Sequence, residues 1–400
     1  MIINRVSAVD VLSKPGKGFS IKTPGIIMNA EVFTPALNFV KKTLFFNKDR
    51  FLTKDEFQKS VNKDSEINVY DMQDKYITPA LVDQHIHGGY GIDFNNASEE
   101  EIRNFLREIK KWGQGDILAT FVPGKVDELN SQMEIIRNII NNPLKGEARI
   151  AGINLEGPFL SPKKAGIHPP ENLMLPTVEN LKKLNLENVK MITIAPELDK
   201  DYKATEYLNS LGVITSAGHS TATAEQVRES GVKQVTHLFN AMSGFHHRIP
   251  TIANEGLLND NIYAEVNTAI ELLDPKTVDL VFRVKPEDKI ILISDALSGT
   301  NIKEDHFIMG GKRIDIDENG IAKDKEGILA GSIKLMGQIA RRIVDTTQMT
   351  FGDFIKFASQ NPAKNIGLEN DYKIAEGSSP NFTIWNKDSL VPETTVIKGE

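Results

Sequence analysis

Ile77-Thr78-Pro79-Ala80-Leu81-Val82-Asp83-Gln84-His85-Ile86-His87 is an apolar run that ends on two histidines. β-Branched and apolar residues over this length predict a strand. A strand sends residues i and i+2 to one face, so His85 and His87 leave it on the same side, about 7 Å apart at the backbone. Two imidazoles placed this way suit one divalent metal, because imidazole nitrogen is a common ligand for zinc and iron. A lone His-x-His pair also arises by chance on surfaces, and the rest of the chain decides between the two readings.

From residue 76 onward the chain acquires a rhythm. Apolar runs at 77–85, 116–123, 149–155, 189–195, 212–217, 232–238, 262–267 and 289–294 alternate with helix-like stretches. Ser98-Glu99-Glu100-Glu101 is a capping box that opens a helix with Ile102, Phe105, Leu106, Ile109 and Trp112 on one face. Shorter helices are expected over Ala222 to Ser230 and Pro275 to Arg283. This alternation predicts an α/β fold, a (β/α)8 TIM-type barrel. Before it lie short β-like runs, of which Ile26 to Phe33 is the clearest strand. After it, residues 307–323 alternate like a hairpin, 333–346 and 351–359 read as helical, and Asn381 to Trp385 reads as a strand. We therefore expect a small β-sandwich domain built from both chain ends, residues 1–76 and 369–400, around a barrel of residues 77–368.

Composition narrows the function. A chain of 400 residues with 40% hydrophobic and 25% charged residues reads as a soluble globular protein with a large core. The net charge of −7 offers no general attraction to nucleic acid or anionic membranes, so neither is an expected partner. With no cysteine there is no disulfide framework and no thiolate metal site, which fits a cytoplasmic location and leaves His, Asp and Glu to hold any metal. The start, MIINRVSAVDVL, lacks the pattern of a signal peptide, and no run is long and apolar enough to span a membrane. Serine-elbow, Walker A and dinucleotide motifs are absent from the sequence.

Barrel enzymes build their sites at the C-terminal ends of the strands. Here those ends carry His85 and His87, Glu156, His219, His237 and Asp295. Each alone has an ordinary structural explanation, such as a helix cap or a satisfied core histidine. Together they are the donors of a metal hydrolase. Asp295 is the candidate to move protons, with a role as a further metal ligand left open.

The ordered motifs His85-Ile86-His87-Gly88-Gly89, Leu155-Glu156-Gly157-Pro158-Phe159-Leu160, Ala217-Gly218-His219-Ser220, Thr236-His237-Leu238-Phe239-Asn240-Ala241-Met242, Ser294-Asp295-Ala296 and Leu329-Ala330-Gly331-Ser332 resemble the N-acetylglucosamine-6-phosphate deacetylases, a branch of the amidohydrolase superfamily. The resemblance runs from Ile26 to the C-terminus. It implies hydrolysis of the acetamide of N-acetylglucosamine 6-phosphate, an amino-sugar phosphate, to glucosamine 6-phosphate and acetate by a homodimer. It implies one or two divalent metals per subunit: zinc first, with iron, manganese or cobalt as alternatives. Glu156, His219 and His237 would hold the principal metal, and His85 and His87, with Glu156 bridging, a second. Asp295 would take a proton from the attacking water and return it to the leaving amine. His168, twelve residues after Glu156, would help polarise the carbonyl. Ile167, Asn240 and Ala241 would line the sugar site, Arg248 would reach the phosphate across a dimer interface, and Leu329, Ala330 and Gly331 would form a loop beside the substrate.

The chain also departs from that pattern. Where the family carries Asp-Gly-x-His after the seventh strand, this chain has Asn267-Thr268-Ala269-Ile270-Glu271-Leu272, with Leu272 in place of the His and Glu271 beside it. The alternative reading this supports is a related amidohydrolase acting on another N-acyl amino sugar or amide. A binding protein without catalysis would have lost Asp295 or a metal ligand, and all are present. His246 and His247, next to Arg248, read either as extra phosphate contacts or as exposed loop residues.

Overall fold

The computed structural model describes residues 20–62, 66–267, 269 and 271–400. The N-terminal stretch MIINRVSAVDVL, and Thr268 and Ile270 of the departing stretch, lie outside these residues. Eight parallel strands follow one another around one sheet: β1 Leu81–Ile86, β2 Gln114–Phe121, β3 Arg149–Phe159, β4 Val189–Ile194, β5 Ile214–Ala217, β6 Gln234–Val235, β7 Tyr263–Asn267 and β8 Ile290–Ile293. The two ends of the sheet meet just beyond β8. Asp295 N–H donates to the His85 carbonyl at 2.9 Å, and His87 N–H donates to the Ala296 carbonyl at 2.9 Å. The barrel is thus closed at its C-terminal mouth by main-chain bonds between residues expected at the active site.

The helix Glu99–Lys110 begins at the expected capping box: Ser98 Oγ accepts from Glu101 N–H at 3.3 Å, and Glu101 Oε2 accepts from Ser98 N–H at 2.8 Å. Ile102, Phe105, Leu106 and Ile109 are buried against the barrel, as their common face requires.

Two expected strands prove to be four. The run 77–85 breaks at Pro79-Ala80: Lys75–Pro79 belongs to a separate sheet and Leu81–Ile86 to the barrel. Pro79 has no N–H to continue a ladder. The expected strand from Ile26 to Phe33 divides into Gly25–Met28 and Glu31–Phe33, in different sheets, because Asn29 turns the chain with φ of 65°.

Those sheets form the sandwich of the chain ends. One has strands in the order Phe51–Leu52, Leu44–Phe46, Gly25–Met28, Asn68–Asp71, and the other Pro392–Val396, Phe382–Asn386, Lys75–Pro79, Glu31–Phe33, Phe39–Lys41. Ile27, Phe46, Phe51, Ile77, Phe382 and Ile384 fill the space between them, with Phe46 edge-on to Phe382 at 5.6 Å.

Past β8, the expected hairpin is a four-stranded antiparallel sheet: His306–Met309, Lys312–Ile316, Ala322–Lys323 and Leu329–Gly331. Phe307 and Ile314 anchor it on Val122 and Leu297. The helical tail then runs under the barrel floor. Ser359 Oγ donates to the Ala80 carbonyl at 2.6 Å, Asn361 Nδ2 to the Ile290 carbonyl at 2.6 Å, and Asn365 Nδ2 to Gln84 and Gln234 at 3.0 and 2.8 Å. Buried backbone and amide groups at the floor thereby find partners.

Candidate metal centre and active site

Glu156 stands at the centre of the barrel mouth. Its Oε1 lies 3.1 Å from His219 Nε2, 2.9 Å from His237 Nε2 and 3.5 Å from His85 Nε2. Its Oε2 lies 3.3 Å from both His87 Nε2 and His168 Nε2. His85 Nε2 and His87 Nε2 are 3.2 Å apart, and His219 Nε2 and His237 Nε2 are 3.1 Å apart. All six side chains are buried, including His168. Asp295 Oδ1 lies 3.4 Å from His87 Nε2, while Oδ2 accepts from Asn267 Nδ2 at 3.2 Å.

The backbone at three of these strand ends is strained. His219, His237 and Asp295 have φ of 46°, 28° and 51°, in the left-handed region that side-chain-bearing residues avoid. Each such residue costs on the order of 1–3 kcal/mol. With these turns the three side chains stand over the barrel mouth, within reach of Glu156 or the histidines around it. Gly88 serves the same mouth: with φ of 154°, a Cβ there would stand 1.9 Å from the Ile92 carbonyl oxygen.

The donor set fits a divalent metal. An imidazole whose Nδ1–H donates keeps a lone pair on Nε2. His219 Nδ1–H donates to the Lys164 carbonyl at 2.8 Å, and His85 Nδ1 bonds Glu265 Oε2 at 3.1 Å. In the neutral form of each ring the Nε2 lone pair therefore faces a Glu156 oxygen, itself an acceptor. Positive charge in the middle relieves that opposition. Tetrahedral zinc with ligands at about 2.0–2.1 Å sets its ligand atoms about 3.3 Å apart, and the separations here run from 2.9 to 3.5 Å. Two groups that could hold an ion, His85–His87–Glu156 and Glu156–His168–His219, share Glu156. His168, expected from the resemblance as a carbonyl donor, thus also stands at ligand distance. The Nδ1 atoms of His87 and His237 have no hydrogen-bond partner among the described residues.

Without a cation the buried carboxylates and imidazoles shift one another strongly. Burial opposes a charged imidazole at His85, yet Glu156 and Glu265 outweigh it and hold its pKa well above the usual range. Burial likewise opposes ionisation of Glu156, but His85 and His168 reverse this and hold it well below the usual carboxylate range. At His219 burial wins and the pKa falls to about 4.

A cavity of about 510 Å³ opens above this cluster, a size typical of small-molecule sites. Ile167, His168, Asn240, Ala241, Leu329, Ala330 and Gly331 line it together with Glu156, His219, His237 and Asp295. Leu272 lines it too, in the place where the family pattern has a His. Arg248 does not; it is exposed on the loop after β6. His246 Nδ1 accepts from the Arg248 and Ile249 N–H groups at 3.2 and 2.9 Å, so this histidine staples that loop. Glu271 bonds Arg342 Nη1 at 2.6 Å, with Lys334 Nζ at 3.5 Å, and its charge is matched locally.

Residues 76–400 match the model of the Amidohydrolase family. The chain belongs to that family. Among curated proteins, this amidohydrolase is 34% identical to the N-acetylglucosamine-6-phosphate deacetylase of Lysinibacillus sphaericus, over 80% of this chain and 84% of that protein. It is 31% identical to the enzyme of the same name from Bacillus subtilis (strain 168), over 80% and 82%. Among solved structures, N-acetylglucosamine-6-phosphate deacetylase from Thermotoga maritima superposes with a TM-score of 0.81 at 26% identity, covering 94% of this chain and 98% of that one.

Four residues of this amidohydrolase escaped the sequence reading. Lys163 and Lys164 line the cavity, and neither ammonium has a partner among the described residues. Asn267 holds Asp295, and Glu265 holds His85. A glutamate in the middle of the apolar run Tyr263–Asn267 was the visible signal for the last of these.

Proposed function

We propose that this amidohydrolase removes the acetyl group of N-acetylglucosamine 6-phosphate, releasing acetate and glucosamine 6-phosphate. The observation that carries this is the convergence of His85, His87, His168, His219 and His237 on Glu156, with Asp295 at the edge of the same cavity. The names of the relatives support the phosphorylated amino sugar, and they do not favour the alternative of a related amidohydrolase acting on another N-acyl amino sugar or amide.

In this reading Glu156, His219 and His237 would hold the principal metal, and His85 and His87, together with Glu156, would hold a second. A bound divalent cation, zinc in this proposal, supplies Lewis acidity that acidifies water and polarises a carbonyl. Asp295 takes the proton of the attacking water and delivers it to the departing amine nitrogen, one carboxylate serving as base and then acid. Asn267 keeps its second oxygen engaged, leaving Oδ1 toward the histidines. His168 donates to the acetamide oxygen as negative charge builds there. Ile167, Asn240, Ala241 and the Leu329–Gly331 strand enclose the sugar, which excludes bulk water. Lys163 and Lys164 supply positive charge for the phosphate within the cavity, and Arg248 adds a guanidinium from the other subunit of a homodimer. The proposal includes a cytoplasmic location and the division into a barrel of residues 77–368 and a small domain of 1–76 and 369–400. Among the described residues no helix is long and apolar enough to cross a membrane.

The test is acetate release from N-acetylglucosamine 6-phosphate and from N-acetylglucosamine by zinc-loaded protein. Much faster release from the phosphorylated sugar is expected. Equal rates on the two sugars would remove the phosphate from the proposal.

A further inference from the structure

Glu265 lies in the interior of β7, fully buried beneath the histidines. Its Oε1 accepts from Gln84 Nε2 and Gln234 Nε2, both at 2.8 Å. Its Oε2 meets His85 Nδ1 at 3.1 Å and accepts from the His237 N–H at 3.2 Å. The amide orientations follow from the neighbours. Asn365 Nδ2 donates to Gln84 Oε1 at 3.0 Å and to Gln234 Oε1 at 2.8 Å, so both amide oxygens face the floor and both NH2 groups face Glu265. Among the described residues no lysine or arginine pairs with this carboxylate. With three other donors already aimed at it, Glu265 acts toward His85 as an acceptor, which puts the ring proton on Nδ1.

We propose that Glu265 is a positioning residue: it fixes His85 as the Nδ1–H tautomer and thereby aims the Nε2 lone pair at Glu156 and His87, completing the His85–His87 half of the metal centre. This rests on the metal-dependent reading above. The partners of metal-bound histidines commonly set tautomer, ring orientation and affinity in this way. Glu265→Gln keeps the shape and reverses the logic. Its amide oxygen is favoured toward the two donors Gln84 and Gln234 at the expense of the single His237 N–H bond, so its NH2 faces His85 Nδ1 and drives the ring proton to Nε2, into the metal site.

The experiment uses the full chain, stripped of metal and labelled with 15N-histidine, observed by NMR on the alkaline side of the His85 titration. The proton of His85 is expected on Nδ1 in the wild type and on Nε2 in Glu265→Gln. Zinc titration should then show the weaker of two zinc sites losing about 10–100-fold in affinity in the variant while the tighter one is kept. A wild-type His85 protonated on Nε2 overturns the proposal, whether or not the variant folds. So does a folded variant with both zinc affinities intact. Wild-type protein that takes up no zinc would instead sink the metal-dependent reading, and the tautomer measurement would still decide the role of Glu265.

Discussion

Asp295 is bound to His85 through the backbone, N–H to carbonyl at 2.9 Å, while its carboxylate Oδ1 stands 3.7 Å from the Nε2 of the same histidine. The bond that closes the barrel therefore also sets the distance between the proposed proton carrier and the metal ligands. Changing the Asp295 side chain leaves that main-chain bond in place.

Asp295→Asn follows directly from this separation. Asparagine tolerates the left-handed backbone found there, so the fold and the metal ligands should persist. Acetate release is expected to fall by about 10²–10⁴-fold, the usual contribution of a general acid–base group. Metal analysis of the purified variant should match the wild type; loss of metal along with activity would make Asp295 a ligand instead.

The cavity lysines set the second expectation. Lys163→Ala and Lys164→Ala should each lower the ratio of kcat/KM for the phosphorylated sugar over the unphosphorylated one by about tenfold, as expected for one charge-assisted hydrogen bond. An unchanged ratio in both variants would assign the phosphate to other groups.

Chelation should destabilise the protein. A ligand bound only by the folded state stabilises it by about 2.7 kcal/mol when present at a hundred times its Kd. Thermal unfolding with a chelator should occur at lower temperature than with added zinc, and Glu156→Gln should remove most of the difference.

At the other end of the barrel, Tyr372 Oη donates to Asp116, whose Oδ2 also takes Arg149 Nη2 at 2.5 Å. Burial and the adjacent Asp116 push the Tyr372 phenol well above its usual range, so it stays a donor. Tyr372→Phe leaves a buried carboxylate short of one partner and should cost about 1–3 kcal/mol in chemical denaturation, with the metal centre unaffected.

Lys285 gives a pH signature. Burial is the main cause that pushes its pKa down to about 8, although its ammonium donates to the Gly256 carbonyl at 2.8 Å. The folded pKa lies below the unfolded one, so the unfolded chain binds more protons between about pH 8 and 10.5, and stability rises with pH across that window. The stability of Lys285→Met relative to wild type should decline over the same window and stay flat below it. A difference independent of pH would show that Lys285 titrates normally.

Much of the design was legible because it is periodic. Eight apolar runs announced the barrel, and strand-end residues such as Glu156 and His219 stood where a barrel directs chemistry. What escaped depends on three-dimensional neighbours. Pro79 splits one apolar run between two sheets, and Asn29 turns what alternation alone reads as a single strand. Lys163 and Lys164 stand shortly before His168 without any periodic mark, and only the closed barrel brings them over the cavity. Glu265 and Asn267 act through His85 and Asp295, on β1 and just after β8, far away in sequence.

The strand Lys75–Pro79 pairs with Phe382–Asn386, so one sheet joins residues about three hundred positions apart. During synthesis at about 5–20 residues per second, the early strand emerges on the order of 15–60 s before its partner exists. Through that interval the ribosome-bound chain presents an unpaired apolar edge, the kind of surface that chaperones shield and that nascent chains use to aggregate. This small sheet therefore cannot be completed until every barrel strand has been synthesised. A premature stop that spares every metal ligand would still leave the protein with an open edge.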